Sequence, residues 1–358
     1  MSTGLSAAVG FVVAGGVSFA ATPLAIRIAA RTGCYDRPRG YRRHAAPTPF
    51  LGGSAVLFAV LVAAAIVGAS ASLLVVLGCA VGLWVLGTID DRGAVPPQWR
   101  VLAEGGAAAA VFATGFGWNT SLSTVFDVVL TIVWVVGVVN AFNLMDNLDG
   151  ACSTVAAVAA LGIGVLAAIN GDPSVAALAF ALSGACAGFL PWNLARPARV
   201  FLGDGGSMPV GFLIAALAMA AARHAPAGNA GILAGALLVG LPILDTALVV
   251  FSRIRRGVTL VTGGRDHLTH RLLLTLHTPR AVASALALGQ AVLCSAAIVG
   301  FELGSTALVG LAFSMFVIGI AVVMELDTAR WRPQGIAVGS QPAPTAAASP
   351  EAVPIDSR

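Results

Sequence analysis

The feature that most restricts the fold of this chain is a series of long apolar runs separated by polar segments. Eleven runs reach or approach the length of about 17 residues that a helix needs to cross a bilayer. They cover residues 5–30, 51–69, 73–89, 101–116, 125–142, 154–169, 174–192, 208–222, 231–251, 281–301 and 303–324. Lipid does not tolerate unpaired backbone groups, and the runs lack the alternating pattern of barrel strands. The sequence therefore predicts an all-α, polytopic membrane protein with about eleven transmembrane helices.

Composition supports this class and excludes others. The 358 residues are 58% hydrophobic and only 10% charged, with a mean hydropathy of +0.91, which does not describe a soluble domain. Five scattered cysteines form no CxxC pair, which argues against a zinc site or a disulfide framework. No basic region precedes the first apolar run, so we expect a retained helix and not a cleaved signal peptide.

The charges of the connecting loops are strongly asymmetric. All of the basic residues are arginines, and 19 of the 20 fall on one side of the predicted topology, with Arg223 as the exception. The polar set of loops covers residues 31–50, 90–100, 140–153, 193–207 and 252–280. The positive-inside rule places these loops in the cytoplasm, the N-terminus outside and the C-terminus inside. We therefore expect a multi-pass protein of the plasma membrane.

Composition changes again after Met324. Residues 325–358 are rich in Pro, Ala and Ser and cannot bury a core. The sequence thus predicts two regions: a membrane-embedded domain, 1–324, and a disordered cytoplasmic tail, 325–358.

The stretch NAFNLMDNLDG ends one apolar run and carries two amides and two carboxylates at three-residue spacing. These residues are Asn140, Asn143, Asp146 and Asp149. Such groups are costly at the end of an apolar run, so a functional site at the membrane surface is the favoured hypothesis. The alternative is a polar helix end capped by Gly150.

Four further polar segments lie on the same predicted side. The first, DRPRGYRRHAAPTPFLGG, contains Arg42 and His44, and the second is the adjacent pair Asp90–Asp91 followed by RGAVPPQWR. The third, FLGDGGSMPVGF, places Asp204 between glycines, which let a backbone and a diphosphate approach a cation closely. The fourth, RIRRGVTLVTGGRDHLTHRLL, contains Arg265, His267 and His270. Basic runs are also common topology signals, and an isolated acidic pair often only caps a helix.

Together these segments resemble the polyprenyl-phosphate N-acetylhexosamine-1-phosphate transferase family, also called glycosyltransferase family 4. The family shows NxxNLxDGxDG, DxPxxRKxHxxxxPxxGG, an acidic pair with a Pro-rich segment, FLGDxGSxxxGF and DHxHHxL. Asp245 also resembles a family position, although a buried structural aspartate is an equal interpretation. The chain departs from the family at Asn147, where Gly is usual, at Thr269, where His is usual, and at Arg42, where Lys is usual.

The resemblance implies a helical membrane enzyme with a cytoplasm-facing active site. Its reaction would transfer N-acetylhexosamine-1-phosphate from a UDP-sugar to a polyprenyl phosphate, such as undecaprenyl or decaprenyl phosphate, with release of UMP. This step initiates lipid-linked cell-envelope glycans. Asp204 would be the principal Mg²⁺ ligand, with Asp146 as a second candidate and Mn²⁺ as an alternative ion. Asp90 or Asp91 would orient or deprotonate the lipid phosphate.

The remaining roles concern the substrates. Asn140, Asn143, Asp146 and Asp149 would hold the nucleotide or the surroundings of the metal, and Arg42, His44, Arg265, His267 and His270 would contact phosphates. A direct attack is preferred over a route through a phosphorylated aspartate because nothing marks a nucleophile. The partners expected are the UDP-sugar, the lipid phosphate and the membrane, with a homodimer compatible and no nucleic acid. Three alternatives remain open: the UDP-muramyl-pentapeptide branch of the family, a membrane transporter, and an inactive assembly partner.

Overall fold

The computed structural model of the chain describes residues 3–36, 47–93, 95–120, 122–223, 230–260 and 264–331. The described residues form thirteen α-helices and one two-stranded sheet, which confirms the predicted all-α class. The helices are α1 Thr3–Thr32, α2 Gly52–Val67, α3 Ala71–Arg92, α4 Pro97–Ala113, α5 Thr124–Met145, α6 Ala151–Ile169, α7 Pro173–Asn193, α8 Asp204–Ala222, α9 Ala230–Leu238, α10 Gly240–Arg256, α11 Leu268–Leu276, α12 Pro279–Leu303 and α13 Ser305–Leu326.

The sheet connects the first two helices. Strands β1 (Tyr35–Asp36) and β2 (Thr48–Pro49) are antiparallel, with Tyr35 opposite Pro49. The predicted phosphate contacts Arg42 and His44 belong to the segment between the strands and lie outside the described residues.

Helix α8 forms the centre of the bundle. It is rich in Gly and Ala and is buried along nearly its whole length, against α2, α3, α5 and α6. Small residues let helices approach closely where lipid supplies no hydrophobic driving force. The residue that begins this central helix is Asp204, so the fold fixes that carboxylate from several sides.

The described residues fit a membrane environment. Eight helices are long and apolar enough to cross a bilayer, and the bent pair α9–α10 would make nine. Large apolar side chains of α13, among them Phe313 and Phe316, point away from the protein, as expected for a helix that faces lipid. The chain is thus a multi-pass membrane protein, and the total of eleven spans stays a prediction.

The predicted span 231–251 is wrong as a single helix. It breaks between Leu238 and Gly240 and bends by 80°. Pro242 has no N–H to donate to the preceding turn. The buried side chain of Gln290 supplies hydrogen bonds at the break instead. It donates to the Leu238 carbonyl at 2.8 Å and accepts from the N–H of Leu241 at 3.3 Å.

The first residues of the predicted tail, 325–331, lie within the described part of the chain. Helix α13 continues to Leu326, and the buried Asp327 accepts hydrogen bonds from Ser252 and Arg255. Composition alone missed this anchor because one paired aspartate can fix a segment that has no apolar pattern. Residues 332–358 lie outside the described part of the chain.

Candidate active site

The start of α8 is held by the end of α3. The Asp91 carboxylate accepts a hydrogen bond from the N–H of Asp204 through Oδ1 and another from the N–H of Gly205 through Oδ2, each at 2.9 Å. A carboxylate at a helix N-terminus satisfies orphan donors and favours the helix dipole. Asp91 therefore fixes the backbone that carries Asp204.

Two glycines allow this close approach. A Cβ on Gly87 would lie 2.3 Å from the carbonyl oxygen of Asp204, and a Cβ on Gly53 would lie 2.1 Å from Cα of Gly206. Any larger residue at either position would have to displace main chain. The glycines of three separate motifs thus serve one packing contact around Asp204.

Arg100, the fourth residue of α4, contacts polar groups from three parts of the site. Its guanidinium donates to Asp90 at 2.7 Å and to Oδ1 of Asn143 at 2.9 Å, and it lies 3.7 Å from Asp204. Asp90 also accepts from the N–H of Val95 at 2.6 Å. The planar fork of arginine is suited to bridging several oxygen acceptors.

Asn143 completes this network from α5. Its Nδ2 donates to Oδ1 of Asp204 at 2.6 Å and to the hydroxyl of Ser207 at 2.9 Å. The Asp204 side chain is nevertheless 32% exposed, compared with 7% for Asp90. Of these two carboxylates, Asp204 is therefore the one that a ligand from solution can reach.

Asp146 lies beside the same centre, directly after α5. Burial, together with the nearby carboxylates of Asp204, Asp91 and Asp149, raises the pKa of Asp146 well above its ordinary value, against the effect of a hydrogen bond from Gly203. Four aspartates of three motifs thus meet at one end of the bundle. Hard oxygen donors with excess negative charge fit a divalent cation such as Mg²⁺, which usually takes only one or two protein carboxylates.

A group of three or more metal-binding side chains is not found within the described residues. The fit to a cation therefore rests on Asp204, with Asp146 beside it, and on ligands from water or substrate.

Asn140 is separated from this cluster. Its Nδ2 donates to Glu104 at 2.6 Å and to the carbonyl of Val136 at 2.9 Å. Glu104 is fully buried in α4. The structure thus gives Asn140 a contact between helices, while its predicted role in substrate binding stays a prediction.

The histidine segment contains one histidine fixed by a buried carboxylate. Asp245 of α10 is fully buried, and its two oxygens contact Nδ1 of His267 at 2.9 Å and the N–H of Leu268 at 2.6 Å. This contact orients the His267 ring. Asp245 thus has a defined partner, which its sequence context left open.

The second histidine lies in a different environment. The rings of His267 and His270 are 6.4 Å apart. Burial, followed by the charges of His267 and Arg265, lowers the pKa of His270 to about 4. His270 is therefore neutral near pH 7, and its predicted contact with a phosphate stays a prediction. Arg265 lies close enough to His270 to add to this effect.

Two of the three departures from the family pattern, Asn147 and Thr269, are in contact. The Thr269 hydroxyl hydrogen-bonds Oδ1 of Asn147, and it lies 3.4 Å from Nδ1 of His270. The contact joins α11 to the loop between α5 and α6. No signal in either motif alone indicated that these positions meet.

Asp266 ties the loop before α11 to the end of α10. Burial opposes its ionisation, but hydrogen bonds and charge from Arg253 and Arg256 hold the pKa of Asp266 well below its usual range. The Arg253 fork contacts both carboxylate oxygens at 2.9 Å. These two arginines belong to the basic run, and they anchor the histidine segment through Asp266.

A cavity of about 430 Å³ opens beside Asp149. Asp149 lines it together with Phe201, three residues before Asp204. Its basic lining residues are Arg196, Arg199 and Arg280. Asp149 therefore faces a space large enough for part of a nucleotide sugar.

Comparison with known proteins identifies the family. The profile of glycosyl transferase family 4 matches residues 73–222. A Streptomyces coelicolor protein named as a glycosyltransferase is 37% identical over 302 residues, covering 82% of this chain and 70% of the relative. The chain belongs to glycosyl transferase family 4.

Two further relatives carry more specific names. The decaprenyl-phosphate N-acetylglucosaminephosphotransferase of Mycolicibacterium smegmatis is 30% identical over 353 residues, covering 87% of this chain and 84% of the relative. The undecaprenyl-phosphate alpha-N-acetylglucosaminyl 1-phosphate transferase of Escherichia coli is 26% identical over 285 residues, covering 75% and 77%. The family resemblance found in the motifs is thereby confirmed.

Sequence reasoning missed two members of the site. Arg100 was noted only as the end of the Pro-rich segment, and Ser207 only as a matched letter of the FLGDGGS motif. Both belong to motifs shared with the family, so their position in those motifs was the available signal. Their hydrogen bonds could be found only from the structure.

Proposed function

We propose that this protein transfers N-acetylglucosamine-1-phosphate from its UDP-sugar to a polyprenyl phosphate and releases UMP. The observation that carries the proposal is the meeting of Asp90, Asp91, Asp146 and Asp204 at one end of a membrane helix bundle, with Arg100 in contact with Asp90 and 3.7 Å from Asp204. The names of the relatives from Mycolicibacterium smegmatis and Escherichia coli support the sugar and the lipid class. The product would start a lipid-linked cell-envelope glycan.

The reaction is a displacement at phosphorus. An oxygen of the lipid phosphate forms a bond to the β-phosphorus of the UDP-sugar. The bond from that phosphorus to the oxygen bridging it to the α-phosphate breaks, and UMP leaves with this oxygen. Such transfers depend mainly on positioning and on compensation of charge. We favour a direct attack, because Asp90 and Asp91 are both engaged by neighbouring donors.

The charged side chains divide this work. Arg100 contacts Asp90 and reaches toward Asp204, so it can neutralise oxygens of the transferring phosphate at the centre of the cluster. Asp90, held by Arg100 and Val95, would orient the lipid phosphate. Asp204 would hold Mg²⁺, or Mn²⁺ in its place, with Asp146 as a second ligand. The ion would offset the charge of the phosphates.

The cavity beside Asp149 suits the nucleotide part of the donor. An aromatic ring, Phe201, offers a stacking surface, while Arg199 and Arg280 supply positive charge for phosphates. Phe201 lies only three residues before Asp204 in the sequence. A nucleotide bound beside Phe201 would therefore direct its diphosphate toward the carboxylates.

The charge asymmetry supports a cytoplasmic location for this end of the bundle. Loops that carry the proposed site contain nearly all of the arginines, whereas Arg223 and its partner Asp172, 2.7 Å apart, lie at the opposite end. A cytoplasmic site would give a soluble UDP-sugar access to a phosphate at the headgroup level of the plasma membrane. A homodimer is compatible with this arrangement.

Three other functions make different predictions. A pentapeptide transferase would use UDP-muramyl-pentapeptide, a transporter would move ions or substrate without cleaving the diphosphate, and an inactive assembly partner would do neither. Transporters place functional carboxylates near the bilayer midplane. Clustering at one end of the helices favours the transferase.

The test is turnover by the full-length protein in lipid nanodiscs. Purified protein is incubated with Mg²⁺, polyprenyl phosphate and UDP-N-acetylglucosamine carrying a labelled β-phosphate. We expect UMP and a labelled lipid diphosphate sugar in equal amounts, and neither product without the lipid. UDP-muramyl-pentapeptide and other UDP-hexosamines serve as matched donors. No UMP from any donor would overturn the proposal, and UMP from the pentapeptide donor alone would assign the other branch.

A further inference from the structure

The amide of Asn147 has a fixed orientation. Its Nδ2 donates to the main-chain carbonyl of Leu144 at 2.6 Å. A carbonyl oxygen can only accept a hydrogen bond, so the amide cannot be turned around without losing this contact. The opposite end of the amide, facing Thr269, must therefore be the oxygen Oδ1.

The direction of the next hydrogen bond follows from this orientation. Oδ1 of Asn147 can only accept, so the Thr269 hydroxyl must donate its single proton to it. Thr269 is fully buried, and water therefore does not compete for this proton. The Thr269 oxygen is left with lone pairs alone for any further partner.

That further partner is Nδ1 of His270, 3.4 Å from the Thr269 oxygen. A nitrogen that faces a hydroxyl with no proton to give is stabilised when it carries the proton itself. We infer that Asn147 and Thr269 form a hydrogen-bond relay that holds His270 as the Nδ1–H tautomer, leaving Nε2 as a hydrogen-bond acceptor for the nucleotide sugar. Asn147 and Thr269 are thus positioning residues for His270.

The protonation of His270 agrees with this assignment. Burial and the positive charges of His267 and Arg265 lower its pKa to about 4, while Asp245 and Asp266 act in the opposite direction. Near pH 7 the ring therefore carries one proton, and the relay places it on Nδ1. Within the described part of the chain, no residue hydrogen-bonds Nε2.

A neutral acceptor selects a particular chemical group. It repels a phosphate oxygen but accepts from a hydroxyl or an amide N–H, both of which an N-acetylhexosamine offers. His267 differs because its Nδ1 contacts the carboxylate of Asp245 and not a hydroxyl. His270 therefore suits a neutral donor group of the sugar. This assignment of a ligand rests on the proposed function.

The tautomer can be measured directly by ¹⁵N NMR of the full-length protein labelled at histidine nitrogens, in nanodiscs at pH 7. The five histidines are distinguished with His270→Gln, which removes the signals of interest. We expect a neutral His270 with the proton on Nδ1. Thr269→Ser keeps the hydroxyl and should preserve the tautomer, whereas the isosteric Thr269→Val should lose the preference.

Asn147→Ala provides the sharper variant. It frees the Thr269 hydroxyl to donate to Nδ1, so His270 should change to the Nε2–H tautomer. A wild-type His270 that is charged at pH 7 or carries its proton on Nε2 would overturn the relay. So would an unchanged tautomer in both Thr269→Val and Asn147→Ala.

Kinetics test the ligand separately. His270→Leu should raise KM for the UDP-sugar about tenfold, the worth of one hydrogen bond, and leave KM for the lipid phosphate unchanged. His270→Gln, which retains an acceptor oxygen, should recover part of the affinity. A change confined to the lipid would overturn the assignment. UMP release by the wild type reports on the proposed function alone, so either inference can fail while the other holds.

Discussion

The carboxylate of Asp91 hydrogen-bonds the main chain at Asp204 and not the Asp204 side chain. Its two oxygens accept from the N–H groups of Asp204 and Gly205, each at 2.9 Å. Adjacent carboxylates in a sequence suggest a shared role, but Asp90 contacts Arg100 and Val95 instead. The acidic pair therefore divides into one residue that holds the start of α8 and one that holds the arginine.

This division predicts different results for two matched variants. Asp91→Asn loses one of the two backbone hydrogen bonds, so the free energy of unfolding should fall by about 1–3 kcal/mol. The Mg²⁺ concentration needed for half-maximal turnover should rise, because the Asp204 backbone is no longer fixed. Asp90→Asn should leave that metal dependence closer to the wild type. The measurements are UMP release against Mg²⁺ and thermal unfolding; equal effects of both variants on metal dependence would contradict the division.

Turnover should depend strongly on the side chain at position 100, although a basic loop residue usually tolerates substitution. Arg100→Lys keeps the charge but cannot bridge Asp90 and Asn143 together, so turnover should fall by at least about tenfold. Arg223→Lys at the opposite end of the bundle is the control, since its partner Asp172 lies far from the site. Wild-type turnover in Arg100→Lys would show that the bridge is dispensable.

Much of this architecture could be predicted from the sequence. Long apolar runs gave the helical membrane class, because backbone hydrogen bonding in lipid leaves few alternatives. The resemblance of the motifs predicts Asp90, Asp91, Asp146 and Asp204 as one site, although the four residues are spread over more than a hundred positions of the chain. All four lie at or near the ends of apolar runs, where ionisable groups indicate a site at the membrane surface.

Other features depend on three-dimensional partners. The break between α9 and α10 is stabilised by Gln290, which is about fifty residues away in the sequence and unremarkable in its own segment. The contact between Thr269 and Asn147 likewise joins two motifs that were read separately. Periodicity and motif spacing carry no information on such pairs.

That contact changes the expectation for restoring the family's histidine. From the sequence alone, Thr269→His should preserve or raise turnover. In the structure position 269 is fully buried against Asn147, so the larger ring needs space that the amide occupies. We expect Thr269→His to lower turnover and the double variant Thr269→His with Asn147→Gly to recover it. UMP release by the two single variants and the double variant measures this coupling; additive effects would contradict it.

Asp266 should control stability at low pH. The pKa of Asp266 in the folded protein is well below the ordinary value of about 4. The stability that its ionised form provides is therefore fully present above about pH 4, and it is lost as the pH falls from about 4 toward the folded-state pKa. Asp266→Asn leaves the buried Arg253 without its charge partner and should cost about 3–5 kcal/mol near pH 7. Thermal unfolding from pH 3 to 7 should show this difference shrinking below about pH 4.

The control for this prediction is Asp172→Asn, which breaks the more exposed pair with Arg223. Its side chains are 15% and 34% exposed, and the loss should stay below about 1 kcal/mol. If Asp172→Asn and Asp266→Asn lowered the free energy of unfolding equally, burial would not be the reason why the Asp266 contacts stabilise the protein.

The metal prediction concerns Asp204. One of its oxygens accepts from Asn143, while the other lies 3.7 Å from Arg100, so the carboxylate is oriented and still partly exposed. Asp204→Asn keeps the shape and removes the charge, and turnover should fall by at least about 10²-fold, as for loss of one main electrostatic stabiliser. Raising Mg²⁺ should recover part of the rate if metal affinity is the principal loss.

Asp245→Asn separates this effect from a general loss of a buried carboxylate. Asp245 contacts His267, so its variant should lower turnover without changing the Mg²⁺ dependence. UMP release against Mg²⁺ for both variants, with thermal unfolding as the check on folding, distinguishes the two. A wild-type rate and metal dependence in Asp204→Asn would mean that another carboxylate holds the metal. Asp146 is then the first residue to test. Burial and three neighbouring aspartates raise its pKa, and a cation would relieve that repulsion.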